Sequence, residues 1–545
     1  MSSRKGKIDL DEDDYYEEDY DYDGNEDEYE EEEEEKPKKK DKKKNKKEKE
    51  EKEKQKKEEI KPKEQKKEEN KPKEQKKNDN QKKIINVKDY NDKKTYPKID
   101  YGKQFTDNKE KPTINLVIIG HVDSGKSTMI GHLLCLLGVI DNKSFQQNQK
   151  GKPKKGEEKS TINYANATDE ASDERERGVT MGTGFKTFET KTKKIISMDA
   201  PGHQDFIPVM IEGTSAADYA LLIIDSGLQA FSAGFFREGQ TREHALLAKT
   251  LGVNQLIVAI NKLEIFDWSK DRYDEIVEDL KKFLIGELNF DEKKIIFLPV
   301  SGLTGDNLLK PISSKGGDWY KGPTLIDIID ELEPPQRAID APVRFIISDI
   351  TKNPINGLQG LNLYGKLETG VITVNTEYLV LPSGNKEKVK SIALDKNNVK
   401  YITPGQQAEI LLDLSKNSKE ERKFEPGNIL CSEKYPVPCI KKFKANIKTY
   451  DLKVPITLGK KMMFYLQGQK SQITIKKIEK IYNEGSEITK KNSRFIPKNY
   501  YADIIIESES IICAELFCVN KKLSTFTLRS SGETEAMGYI TEFIE

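Results

Sequence analysis

Eight consecutive residues, Gly120-His121-Val122-Asp123-Ser124-Gly125-Lys126-Ser127, have the spacing GxxxxGK[ST]. That spacing serves the holding of phosphate. Glycines let the backbone curl so that successive N–H groups point inward at an anion, and a following helix adds the positive end of its dipole. Lys126 then reaches the β- and γ-phosphates, and Ser127, followed by Thr128, offers a hydroxyl to magnesium. Asp199-Ala200-Pro201-Gly202 supplies a carboxylate that anchors the same ion through a water. Asn261-Lys262-Leu263-Glu264 and Ser301-Gly302-Leu303 are two further candidates, each placed after an apolar run.

For these groups to meet, each must stand at the end of a buried strand. INLVIIG (114–120) is a short β-rich run that ends in the glycine loop, and the helix-like STMIGHLLCLLG follows it. Further strands are expected at KIISMDA (194–200), ALLIIDS (220–226), QLIVAIN (255–261) and IIFLPVS (295–301), with a helix at QTREHALLAKTLG (240–252). Alternating strands and helices imply a parallel sheet whose ligand loops lie at the carboxyl ends of the strands. This α/β domain is placed at 111–335. Beyond PPQRAIDAP (334–342) only short strands appear, punctuated by NPING, LETG, LPSGN, TPGQ and EPGN, the texture of antiparallel barrels. Two barrels are expected, 336–440 and 441–545, with the break near Pro438 to Phe443.

The 545 residues carry 92 Lys+Arg and 93 Asp+Glu, and this balance is a cancellation. Residues 1–35 hold 19 acidic side chains against 3 basic, whereas 36–83 hold 24 basic against 12 acidic. No aliphatic or aromatic residue occurs between Glu30 and Glu59, so too little surface can be buried to offset the entropy of ordering. Residues 1–110 are therefore read as a disordered tail, acidic and then Lys-rich. It contains a tandem repeat, EEIKPKEQKK and EENKPKEQKK (58–77). Its Lys blocks suit electrostatic attachment to RNA or serve as a solvated spacer. Five cysteines without a CxxC pair read as reduced thiols. No apolar run approaches the roughly 18–20 residues of a membrane span, which places the chain in the cytoplasm with no membrane partner.

In this order and at these separations the four motifs resemble the G-domain of GTPases. DERERGVTMGTGF (173–185), DAPGHQDFIPVM (199–210) and GQTREHALLAKTLGV (239–253) resemble the translational GTPases of the elongation factor 1-alpha group. The likeness runs over 111–545, through GKLETG (365–370) to FTLR (526–529) with Gly532 and Gly538. It implies a multidomain fold, an α/β P-loop G-domain followed by two antiparallel β-barrels, and hydrolysis of GTP to GDP and phosphate with Mg2+ on the ribosome, whose RNA activates the step. Carried over residue by residue, phosphate contacts fall on Gly120, His121, Val122, Asp123, Ser124, Gly125, Lys126, Ser127, Thr128 and Gly202. Guanine contacts fall on Asn261, Lys262, Glu264, Ser301, Gly302 and Leu303. Magnesium falls to Ser127, Thr180 and Asp199, the catalytic role of orienting water to His203, and the hydrophobic gate that restrains it to Val122. Arg175 and Arg177 read as switch-loop salt bridges or ribosome contacts, His121 as a loop support, and His132 and His244 as packing or surface residues.

Glu264 departs from the family, which carries Asp there to accept two hydrogen bonds from guanine. The displaced carboxylate is expected to keep guanine preference at weaker affinity, by about 1–3 kcal/mol. Within the group, Pro208 is similar to rescue and release factors and the intact RERGVTM (175–181) to the rescue type. The Hbs-type ribosome-rescue GTPase satisfies both. That likeness implies a pelota-like protein partner and a monomer or heterodimer. An aminoacyl-tRNA carrier, the GTPase of termination and a non-hydrolysing nucleotide-dependent scaffold are the alternatives.

Overall fold

In a run such as TINLVIIG, side chains alternate between two faces, so a strand apolar throughout needs cover on both. In the computed structural model the described residues are 90–545, except 93–94, 103–104, 106–110, 141–163, 165–183, 203–205, 237–238, 254, 352–359, 396, 414–423, 451, 484–489 and 545. The run forms β1 (Thr113–Gly120), and with β2 (Gly184–Glu189), β3 (Lys194–Asp199), β4 (Tyr219–Asp225), β5 (Leu256–Asn261) and β6 (Ile295–Pro299) it builds one sheet of order β2-β3-β1-β4-β5-β6. All neighbours are parallel except β2, an antiparallel edge that the sequence did not announce.

Two apolar layers cover the sheet. Val117 and Ile119 of β1 face one core, and Ile114, Leu116 and Ile118 face the other. The helices are α1 (Lys126–Leu136), α2 (Ile207–Ser215), α3 (Leu228–Phe235), α4 (Gln240–Thr250), α5 (Lys270–Lys281) and α6 (Leu325–Glu331). The Ser269 side chain caps α5, and Thr324 with Asp327 forms a capping box on α6. By contrast α1 starts at Gly125 with no side-chain cap and no acidic residue in its first turn. Its first N–H groups are thus left for an anion.

Two closed six-stranded antiparallel barrels follow. The first runs from Arg344–Thr351 to Ile429–Cys431, and the second from Cys439–Thr449 to Glu533–Ile544. Residues 432–438 link them, slightly ahead of the expected break. Among the described residues no helix is long and apolar enough to cross a membrane.

One carboxylate ties all three domains together. Asp218, just before β4, is 2% exposed and accepts from Arg337 of the G-domain–barrel linker (Nη1 to Oδ1, 3.0 Å) and Lys522 of the second barrel (3.2 Å). Lys366 of the first barrel lies 3.9 Å away, and the Asn115 backbone N–H donates at 3.0 Å. Burial opposes its charge, yet Lys366, Lys522 and Arg337 together outweigh that and hold the carboxyl well below the usual range.

Residues 1–89, where disorder is expected, lie outside the described residues. Residues 90–102 do not follow that expectation. Tyr90 is buried against Phe543, its hydroxyl bonding the Glu515 carboxylate, and Asn91 exchanges two 2.9 Å hydrogen bonds with the Phe543 backbone. Ile99 N–H donates to Asp340 O at 2.7 Å, and the Tyr101 hydroxyl to Ala341 O at 3.1 Å. Tyr90, Tyr96, Ile99 and Tyr101 supply the apolar surface that the stretch between Glu30 and Glu59 lacks.

Candidate functional site

The chain turns sharply after β1 because glycines stand where side chains would collide. Gly125 has φ +90°, and a Cβ there would strike the Asn261 amide; a Cβ on Gly202 would come within 2.5 Å of Lys126 Nζ. Around this turn Lys126 is buried, its Nζ donating to the carbonyls of Gly120 (3.0 Å) and His121 (2.8 Å). Burial pulls its ammonium down to about 8, against the favourable charge of Asp199. Asp199 is itself 3% exposed at the end of β3, paired in register with Ile118 beside the loop. Ser124 Oγ is buried with no hydrogen-bond partner, an orphan polar atom facing inward within the loop.

The third and fourth motifs meet this loop through one side chain. Asn261, at the end of β5, donates from Nδ2 to Ser124 O at 2.8 Å and accepts the Gly302 N–H at Oδ1, also at 2.8 Å. Lys262, in a left-handed conformation, donates to Asp123 O at 2.6 Å and pairs with Asp225 at 2.7 Å. Ser301 is fully buried, Gly302 packs on Met129 of α1, and Leu303 is 50% exposed. Glu264 is half-buried. Burial raises its carboxyl, and its Oε2 is covered with no hydrogen-bond partner. A covered acceptor of this kind suits a ligand edge carrying N–H donors. Val122 is half-buried, Asp123 is exposed, and Ser127 and Thr128 are half-buried on the first turn of α1. Thr180, His203, Arg175 and Arg177 lie outside the described residues.

The donor set of Ser127 hydroxyl and Asp199 carboxylate consists of hard oxygens near a buried lysine. That fits Mg2+ rather than a soft metal.

Sequence reasoning missed His244. From α4 it reaches the loop, where its Nδ1 accepts the Gly120 N–H at 3.2 Å. Full burial, with the charges of Lys126 and His121, pushes this imidazole down to about 3, so it is neutral. His121 packs on Gly234, and burial lowers its ring value. His132 donates from Nδ1 to Gly302 O at 2.9 Å and stacks on Tyr164. No local pattern distinguishes His244 from a packing residue; only the fold brings positions 120 and 244 together.

Comparison with known proteins places these features. Residues 111–335 match the elongation factor Tu GTP binding domain, and residues 442–541 match the GTP-eEF1A C-terminal domain-like family. The chain is 38% identical to Protein HBS1 of Drosophila melanogaster over 444 residues, 81% of this chain and 64% of that protein. It thus spans just under two thirds of that relative's length. It is 35% identical to elongation factor 1-alpha of Staphylothermus marinus over 435 residues, 79% of this chain and 97% of that one. The GTPase-like domain of S. cerevisiae Ski7, solved bound to GTP, shares the fold with a TM-score of 0.66 at 20% identity, covering 79% of this chain and 97% of that one.

Proposed function

This chain belongs to the elongation factor 1-alpha group of translational GTPases, and on that premise we propose that it binds GTP at the strand ends described above and hydrolyses it to GDP and phosphate on the ribosome. In its GTP state it carries a pelota-like, tRNA-mimicking protein to stalled ribosomes, a role in ribosome rescue and mRNA surveillance.

The observation that carries the nucleotide reading is the Asn261 side chain. One amide holds the phosphate loop at Ser124 and the base-side loop at Gly302, so the sites for the two ends of a nucleotide form one unit. The loop amides from Gly120 to Thr128 and the start of α1 take the phosphates, and Lys126 neutralises charge at the β- and γ-oxygens. Glu264 takes the N–H edge of guanine, flanked by Lys262 and the Ser301-Gly302-Leu303 backbone. Ser127, Asp199 and Thr180 hold Mg2+, which when bound supplies further charge neutralisation at the phosphates. His203 orients the attacking water and Val122 restrains it until the ribosome acts. This is positioning plus electrostatics, with no covalent intermediate. His203→Ala should abolish ribosome-stimulated phosphate release with GTP affinity intact; normal stimulated turnover would refute the assignment, and a wild-type chain that releases no phosphate would favour a scaffold.

The identity to Protein HBS1 supports the rescue reading, together with Pro208 and the intact RERGVTM. The near full-length match to elongation factor 1-alpha favours a second reading, the carrying of aminoacyl-tRNA. A pull-down with the GTP-loaded chain separates them: recovery of a pelota-like protein supports rescue, and recovery of aminoacyl-tRNA overturns it.

A further inference from the structure

The strand Cys439–Thr449 opens the second barrel and lies antiparallel to Tyr501–Cys513, with Cys439 registered on Cys513. Their sulfurs are 3.7 Å apart. The surrounding hydrogen bonds define the kind of pair. Ala514 N–H donates to Pro438 O at 3.1 Å, and the Gln469 side chain takes both the N–H and the carbonyl of Cys513, at 2.7 and 2.8 Å. Cys439 and Cys513 therefore face each other as a non-hydrogen-bonded antiparallel pair, the arrangement that brings Cα atoms to about 4.5 Å. That lies inside the roughly 4.4–6.8 Å a disulfide spans.

The two thiols differ in setting. Cys513 is fully buried in a small apolar cluster with Ile346, Ile429, Cys431 and Leu523, whereas Cys439 is half-buried where the inter-barrel linker ends. The two sulfurs share a hydrogen bond in which either can donate, and the Cys439 thiol also lies 3.8 Å from Val437 O, toward which it donates. The bond between the sulfurs draws the Cys439 thiol below its ordinary value and, with burial, pushes that of Cys513 up. Cys439 is the more accessible of the two sulfurs, and Cys513 lies buried directly beside it.

We propose that Cys439 and Cys513 form an oxidation site that closes to an intrachain disulfide with hydrogen peroxide as the two-electron oxidant. The Cys439 sulfur attacks one peroxide oxygen; the O–O bond breaks, Cys439 becomes a sulfenic acid, and one water leaves. The Cys513 sulfur then attacks the Cys439 sulfur; the S–S bond forms, the S–O bond breaks, and the hydroxyl departs with the Cys513 proton as a second water. The two sulfurs are oxidised by two electrons and the peroxide is reduced to water. The bond staples the first residue of the second barrel to the strand leading into Glu515, whose carboxylate pairs with Arg344 of the first barrel at 2.8 Å. Arg344 also donates to the linker carbonyl of Tyr435 at 2.8 Å, so the oxidation site lies within the junction between the barrels.

The test is a peptide map of the full chain, reduced, exposed to hydrogen peroxide, alkylated and digested without reductant. The expected product is a pair of peptides joined through Cys439 and Cys513, lighter by two hydrogens than its reduced halves and separated again by dithiothreitol. Cys439→Ser and Cys513→Ser each abolish it, and Cys518→Ser, which removes an exposed thiol, leaves its yield unchanged. The unsubstituted chain decides the matter even where a variant folds poorly. A bond through Cys431 or Cys518, Cys439 carried to sulfinic acid without a bond, or no oxidation of either residue would overturn the proposal.

Discussion

His244 holds Gly120: the backbone N–H at the end of β1 donates to the imidazole Nδ1 at 3.2 Å, and the ring stays neutral because burial pushes it down to about 3. An unfolded chain protonates the same histidine near 6.5. Between those values the unfolded state binds more protons, so this contribution to stability is complete above about pH 6.5 and is lost as pH falls toward 3, at up to about 1.4 kcal/mol per unit. His244→Asn, which can accept the same N–H and does not titrate, should flatten that part of the slope. Urea unfolding of both proteins at several pH values measures it, and equal slopes would show that the imidazole is not its source.

Asn261→Ala removes both 2.8 Å bonds and leaves the Ser124 carbonyl and Gly302 N–H to find other partners. At about 1–3 kcal/mol for buried groups so stranded, GDP affinity should fall roughly tenfold to a hundredfold. Calorimetric titration reads the loss directly; a change under about threefold would mean that the two loops hold their positions without the amide.

For Glu264 the expected signature is a pH dependence of guanine binding. Burial raises its carboxyl above the ordinary 4.5, and under the proposed function it is the carboxylate form that would accept the donors of guanine. Affinity for GDP should therefore fall on acidification, starting above the ordinary carboxylate range. Glu264→Gln should bind GDP more weakly and lose this dependence. Glu264→Asp should keep the preference for GTP over ATP and XTP, and equal GTP and ATP binding by the wild-type chain would remove guanine recognition from this residue.

Asp218→Asn leaves Arg337, Lys366 and Lys522 around a neutral amide. Breaking a buried ion pair from one side costs about 3–5 kcal/mol, and the loss should appear as a lower melting temperature. Small-angle scattering should also report a larger radius of gyration as the barrels part from the G-domain. A variant as stable and as compact as the wild type would show that other contacts carry the assembly.

Elements were legible where the signal is local. The runs of β1, β3, β4, β5 and β6 are apolar, short and end in polar loop residues, so their strands fall within a residue or two of the expected positions. The P-loop was legible because its chemistry is written in eight adjacent residues. By contrast His244, Asp218 and the packing of Tyr90 depend on partners 124, 119 and 425 residues away, and no spacing rule reaches that far. Glu264 stood out by identity, but its covered oxygen emerged only from the fold.

The meeting of three domains on Asp218 has a mechanical consequence. Arg337, Lys366 and Lys522 come from the linker and from both barrels, so a small displacement of one element leaves the carboxylate served by the others. The joint therefore resists gradual drift and yields at a threshold, when a movement is large enough to strip several cations at once. Separate bridges, such as Arg529–Glu243 at 2.7 Å and Lys194–Asp395 at 2.6 Å, can open one at a time, whereas the cations on Asp218 share one carboxylate and loosen together.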